Sequence, residues 1–199
     1  MKRQHTSSYT LTWILIGVVT LGIALSITLT PDTRWMAWHL SRLGEGKSLA
    51  AAIFNFTFVF AALILVKLAT RIMSEVSTEG AHRLRTLFFG VAVCWLGVGS
   101  FPFDQFPIIH NVFGYGQFLL IGYMMLRLRH ICNCFSERTY TIGVGVFIVT
   151  ALLLAFFHLT HFTTLLVVEI IGQFGVYGWL LSMAGDLRHI GPQTTTIRK

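Results

Sequence analysis

Charged residues are scarce in this sequence, at 12% of 199 residues. A soluble domain carries about 25%. This scarcity, with 54% hydrophobic residues and a mean hydropathy of +0.70, argues against a soluble globular protein. The formal net charge of +7 does not indicate a nucleic-acid partner, because the basic residues lie between apolar runs and form no patch with interleaved aromatic residues. The composition predicts an integral membrane protein.

Cysteine is also rare, with three residues in the chain. Cys94 lies in an apolar run, whereas Cys132 and Cys134 form a C-x-C pair in a basic loop. No second pair exists to complete a zinc ribbon. We expect the pair to be reduced and to face the cytoplasm, where disulfides are uncommon.

Six apolar runs are long enough to be considered membrane helices. The first is longer than the apolar region of a signal peptide, which has about 7–15 residues, so we expect it to be retained. The sequence therefore predicts an all-α, polytopic membrane protein, with a bundle of six transmembrane helices in one domain that covers residues 1–199. The predicted helices cover residues 11–29, 49–66, 86–101, 108–126, 140–157 and 164–184.

Lysine and arginine are distributed unevenly between the two sides of such a bundle. Twelve of the fifteen lie in the leader, the second and fourth loops and the tail, and the other three lie in residues 30–48. Basic loops remain in the cytoplasm. We therefore expect a protein of the cell membrane with both termini cytoplasmic.

The stretch from Gly97 to Gln117 separates the third and fourth runs. Pro102 and Pro107 cannot lie inside a helix, so we expect a tight turn with Pro107 in the first turn of the next helix. Asp104 and His110 then lie at the rim of the membrane, where ionisable groups are usually functional or paired.

This orientation places most of the unusual polar side chains on the outer face. Glu169 and Gln173 are four residues apart and share one side of the sixth helix, and His110 and Gln117 share a stripe on the fourth. Such polar stripes avoid lipid by facing each other or a water-filled cavity. The alternative is that Asn55, Gln117 and Gln173 only form hydrogen bonds that hold neighbouring helices together. We predict a polar pocket open to the outer leaflet, formed by Asp104, His110, Glu169, Asn55, His39, Glu45, Gln117 and Gln173.

The outward helix N-termini carry positive dipole ends that hold anions, and Arg34, Arg42 and Lys47 add positive charge. We therefore expect membrane lipids as partners, with a lipid headgroup or a small anionic solute as the ligand that is bound or moved. No cofactor and no enzymatic activity are expected.

Two other functions are open. His158 and His161, at i and i+3, suggest a zinc-dependent membrane hydrolase with Asp104, His110 or His39 completing the ligand shell. No H-E-x-x-H supports this, and no G-x-S-x-G surrounds a serine. The third hypothesis is a structural subunit or scaffold of a membrane complex.

Several short motifs resemble the DUF998 family of small multi-spanning membrane proteins. They are His39-Leu-Ser-Arg-Leu-Gly44, Asn55 in the next helix, Gly99-Ser-Phe-Pro-Phe-Asp104 and His110-Asn-Val-Phe-Gly114. They are similar to that family's Ser-x-Leu-Gly segment, its F-P-x-D turn and the histidine that opens the following helix. The last two helices match only in hydropathy, and the segment after the first helix is more basic and richer in tryptophan. The resemblance implies a six-helix bundle in the cell membrane and no particular activity.

Metal analysis of protein purified in mild detergent separates the first two hypotheses. The binding hypothesis predicts a metal-free protein that retains a specific lipid and loses it in Asp104→Ala. One zinc per chain, lost in His158→Ala or His110→Ala, would contradict that prediction and favour the hydrolase.

Overall fold

A computed structural model describes residues 7–31, 33–37, 39–76, 79–160 and 164–190. Over these ranges the chain is all-helical and contains no strand, which confirms that the protein is all-α. Two short 3-10 helices, Arg34–Ala37 and Leu40–Gly44, lie between the first two of six long helices. The long helices are α1 Ser8–Thr28, α2 Leu49–Glu75, α3 Glu79–Ser100, α4 Pro107–Ile131, α5 Glu137–Thr160 and α6 Leu165–Ile190.

Most of the helices extend further than predicted at the end that carries the basic loops. α2 continues to Glu75 and α3 starts at Glu79, so most of the connection predicted between residues 66 and 86 is helical. The prediction of a long loop there is wrong. Hydropathy marks where an apolar run ends, and the helix itself continues past that point. Lysine and arginine are themselves good helix formers, and they continue the helices into a polar environment.

Four described helices are long and apolar enough to cross a membrane, namely α1, α2, α5 and α6. The other two contain more polar residues: α3 begins with Arg83 and Arg85, and α4 carries His110, Asn111 and Gln117. Large apolar side chains also cover the outside of the bundle. Phe56 is 72% exposed, Leu119 is 74% exposed and Leu159 is 83% exposed. Such a surface is compatible with a hydrocarbon environment.

The six helices pack as a ring in chain order, and α6 returns to pack against α1. One end of the ring carries the α1–α2 loop and the α3–α4 turn. We call it the loop end. At the opposite end, Glu75 accepts hydrogen bonds from the backbone N–H and hydroxyl of Ser8 at the start of α1. Asp186 of α6 accepts bonds from Ser136 and Thr139 at the start of α5. Carboxylates therefore connect distant helices at this end.

The α4–α5 connection, also at this end, corrects one prediction. Cys132 and Cys134, which we expected to be reduced, are joined in a disulfide with their Cα atoms 5.2 Å apart. Cys94 is a buried free thiol. Spacing alone does not determine the oxidation state of a C-x-C pair.

The contact between α2 and α3 depends on a glycine. A Cβ atom at Gly99 would lie 2.5 Å from the carbonyl oxygen of Asn55, and a backbone atom cannot rotate away. Gly114 on α4, in contrast, has no such neighbour within 4 Å. Close approach of two helices through small residues is typical of membrane bundles.

We expect Gly99→Ala to lower stability by about 1–3 kcal/mol, because the added methyl group overpacks the α2–α3 contact. Gly114→Ala is the matched control and should leave stability unchanged or raise it slightly, since alanine favours a helix. Thermal unfolding in mild detergent measures both. Equal midpoints for the two variants would contradict the described packing.

Candidate functional site

The 39–46 segment of the α1–α2 loop lies at the loop end, and three side chains from distant parts of the chain hold its backbone. Glu169 Oε2 of α6 accepts from Leu40 N at 2.5 Å. Asn55 Nδ2 of α2 donates to the Gly44 carbonyl at 3.0 Å. Asp104 Oδ2 of the α3–α4 turn accepts from Gly46 N at 3.1 Å. We call Asn55, Asp104 and Glu169 the backbone clamp.

Two glycines let the segment fit beneath this clamp. Gly46 has φ of +78°, a conformation that other residues adopt at a cost. A Cβ atom at Gly44 would lie 2.5 Å from Asn55 Oδ1 and 2.8 Å from the Phe54 ring. Ser48 then caps α2 by accepting from Ala51 N at 3.0 Å, as serine commonly does at a helix N-terminus.

Beside the clamp, three rings form a continuous row. The His39 ring meets Phe103 edge-on at a centroid distance of 5.0 Å, and Phe103 meets His110 at 5.8 Å. His110 is buried, and its Nδ1 lies 2.8 Å from the Phe101 carbonyl. Because a carbonyl oxygen can only accept, Nδ1 carries the proton. Burial, followed by the charges of Arg42 and His110, lowers the pKa of His39.

The structure thus brings six of the eight predicted pocket residues together around the 39–46 segment: Asp104, His110, Glu169, Asn55, His39 and Glu45. Their polar partners lie mainly in the loop backbone, and Glu45 pairs within the segment with Arg42 at 3.3 Å. Where we predicted an open pocket, the contacts describe a packed loop. The interpretation of Asn55 as a helix-pairing amide is also incomplete, because its side chain donates to a loop carbonyl.

The other two predicted residues, Gln117 and Gln173, lie deeper and line a separate cavity. Its volume is about 70 Å³, counted as the space open to the centre of a water molecule. By the helical rise per residue, Gln117 lies about 15 Å along α4 from Pro107, and Gln173 about 12 Å along α6 from Leu165. Trp95 of α3 and Thr150 of α5 supply its remaining polar side chains.

Two buried hydrogen-bond donors on this cavity lack a well-formed hydrogen bond within the described structure. Trp95 Nε1 has no partner, and Gln173 Nε2 has only a looser contact with the Tyr177 hydroxyl, one turn further along α6. Two further unpaired donors, Arg85 Nε and Trp179 Nε1, belong to residues that do not line the cavity. Buried donors are nearly always paired, so the cavity offers two hydrogen bonds to a guest or to water.

Sequence reasoning missed Trp95 and Thr150. Trp95 was treated as an ordinary apolar residue of the third helix. A signal was available, since an indole N–H in the middle of an apolar run needs a partner. Thr150 gives no comparable signal, because a threonine hydroxyl can bond to its own helix.

The predicted metal set is only partly described. His158 lies exposed near the end of α5, where its ring contacts Phe157, and His161 lies outside the described residues. Within the described ranges, no three histidine, cysteine, aspartate or glutamate side chains are close enough to hold a metal ion. Zinc binding therefore stays a prediction.

The predicted anion site is also only partly described. Arg42 pairs with Glu45, and Lys47 is exposed beside the start of α2. The side chain of Arg34 lies outside the described part of the chain. An anionic ligand at the loop end stays a prediction.

Comparison of the chain with protein-family models, curated proteins and solved structures finds no match. The resemblance to the DUF998 family therefore also stays a prediction.

The clamp predicts how the loop responds to substitution at Glu169. Glu169→Leu leaves the Leu40 N–H without its acceptor, which costs about 1–3 kcal/mol. We expect hydrogen exchange at residues 40–46 to accelerate roughly tenfold to a hundredfold, measured by mass spectrometry. Glu169→Gln keeps an acceptor oxygen and should exchange at nearly the wild-type rate.

Glu137→Leu serves as a distant control, because Glu137 pairs with Arg129 at the opposite end of the bundle. Unchanged exchange at residues 40–46 in Glu169→Leu would show that the clamp does not hold the loop.

Proposed function

We propose that this chain is a six-span protein of the cell membrane, with both termini cytoplasmic, that binds a lipid or small solute in the cavity between α3, α4, α5 and α6. One observation carries the proposal: a cavity inside an apolar bundle has two buried donors without a well-formed hydrogen bond. Four helices have the length and composition of spans. The ring packing of α3 and α4 with them supports counting both as spans.

The distribution of basic residues along the sequence supports the orientation. Twelve of fifteen lysines and arginines lie in the leader, the second and fourth loops and the tail, which the positive-inside rule assigns to the cytoplasm. The Cys132–Cys134 disulfide lies in the fourth loop and is the observation against this orientation, because disulfides are uncommon in the cytoplasm. In the proposed orientation the loop end faces outward, and the cavity lies beneath the 39–46 segment and its clamp. In this proposal the clamp residues shape the outer face, while Gln117 and Gln173 contact the ligand.

The proposal differs from an outward pocket centred on Asp104, His110 and Glu169. Those side chains already have partners in the loop and neighbouring backbone. Of the cavity donors, Trp95 Nε1 has no partner among the described residues and Gln173 Nε2 has only a looser contact with Tyr177, so these donors can form new hydrogen bonds with a guest. Binding is favoured over catalysis because no nucleophile with an adjacent base lines the cavity.

Filling the cavity tests this function. Thr150→Phe places a ring in the space that Thr150 lines, so we expect the purified protein to lose the ligand that wild-type protein retains. Native mass spectrometry of protein in mild detergent detects retained molecules of either kind, lipid or solute.

Thr141→Phe is the matched control, since Thr141 lies exposed on the same helix away from the cavity. It should retain the ligand as wild type does. If wild type retains nothing, or if Thr150→Phe retains the same molecule, the proposed function is wrong.

A further inference from the structure

The polar groups of the cavity are biased toward hydrogen-bond donation. The Trp95 indole is a donor only, and the Gln173 atom that lacks a well-formed hydrogen bond is its NH₂ nitrogen. Gln117 and Thr150 can donate or accept. A guest that satisfies Trp95 and Gln173 together must present acceptor oxygens, and a single carbonyl oxygen has two lone pairs with which to accept both bonds.

The cavity contains no charge to balance an ionic guest. Its lining includes no lysine, arginine, histidine, aspartate or glutamate. Burying an isolated phosphate or carboxylate among these residues is costly. The apolar share of the lining comes from side chains such as Phe118, Ile121, Val146 and Val176, which suits a hydrocarbon body. The guest is therefore uncharged where it enters the cavity.

The depth of the site agrees with an apolar guest. At 1.5 Å per residue, Gln173 lies about 12 Å from the start of α6, which is about 39 Å long. Gln117 lies about 15 Å from the start of α4, which is about 38 Å long. A bilayer has a hydrocarbon core about 30 Å thick. Both amides then lie within that core, below the level of charged headgroups.

The α4–α5 side of the cavity borders the outside of the bundle. Phe118 lines the cavity and is also 45% exposed, and only 6% of the most apolar stretch of α5 is buried. α4 and α5 are in close contact at Gly122, where an added Cβ would lie 2.9 Å from Phe147. Phe118 is therefore the side chain whose displacement would open the cavity from the side.

We infer that the cavity binds the carbonyl oxygen of a hydrophobic molecule whose part inside the cavity is uncharged, and that this part enters laterally from the bilayer between α4 and α5. This inference rests on the proposed function and specifies its ligand. The shared chemistry is a carbonyl acceptor on a hydrocarbon body. Its source is either the acyl ester of a membrane lipid or a free, membrane-soluble ketone.

The test compares two lipid probes that differ only in the acceptor, together with a free carbonyl compound. Purified wild-type protein is titrated with a diester phospholipid, with the diether phospholipid of equal chain length, and with a long-chain ketone, and binding is read by native mass spectrometry. We expect the diether to bind about tenfold more weakly than the better carbonyl probe, as expected for the loss of one to two hydrogen bonds. Preference for the diester identifies a lipid source, and preference for the ketone a free compound.

Variants show which side chains distinguish the carbonyl probe from the diether. Trp95→Phe and Gln173→Leu each remove a donor and should reduce the tenfold preference, whereas Gln105→Leu, on the exposed α3–α4 turn, should keep it. The probe comparison uses unmodified protein, so it holds even where a variant does not fold. Equal binding of diester, diether and ketone, abolished by Thr150→Phe, would overturn this inference and leave the proposed function standing. Binding of no probe, with a cavity that holds only water, would overturn both.

Discussion

Each polar group that this bundle buries must find its partner within the chain, because hydrocarbon offers none. The carboxylates meet this requirement in a consistent way. Glu75 and Asp186 bind the starts of α1 and α5 at one end, and Glu169 binds the start of a 3-10 helix at the other. In each case the acceptor meets a backbone N–H that the helix itself cannot satisfy. These bonds determine which helices meet and how the loops lie.

Among the described residues, four buried donors depart from that rule, and two of them, on Trp95 and Gln173, border the same cavity although they lie on different helices. Trp95 Nε1 has no partner and Gln173 Nε2 has only a looser contact with Tyr177. Leaving one buried donor unpaired costs about 1–3 kcal/mol, so the Trp95 donor alone represents a substantial destabilisation. A guest that accepts both bonds would recover that free energy, which is the physical basis for treating the cavity as a binding site.

The apolar runs were sufficient to predict six helices, because a helix that faces hydrocarbon must be apolar over most of its length. They were insufficient for the helix ends, as Glu75 and Glu79 show, because helices continue into water. The sequence also identified Asp104, His110 and Glu169 as unusual. It did not identify their partners, since the bond from Glu169 to Leu40 joins residues 129 positions apart. Trp95 was missed because its hydrophobic surface conceals its single donor.

The ring of helices, with α6 packed on α1 and Glu169 bonded to Leu40, has a consequence for biogenesis. A ribosome delivers the first helix and the 39–46 segment long before the sixth helix exists. Until α6 emerges, the Leu40 N–H lacks its acceptor and one flank of α1 has no neighbour. The amino-terminal part of the nascent chain must therefore wait in an incomplete state, in which other proteins or lipids can occupy the vacant flank. The ring therefore closes, and the 39–46 segment gains its Glu169 contact, only when α6 arrives.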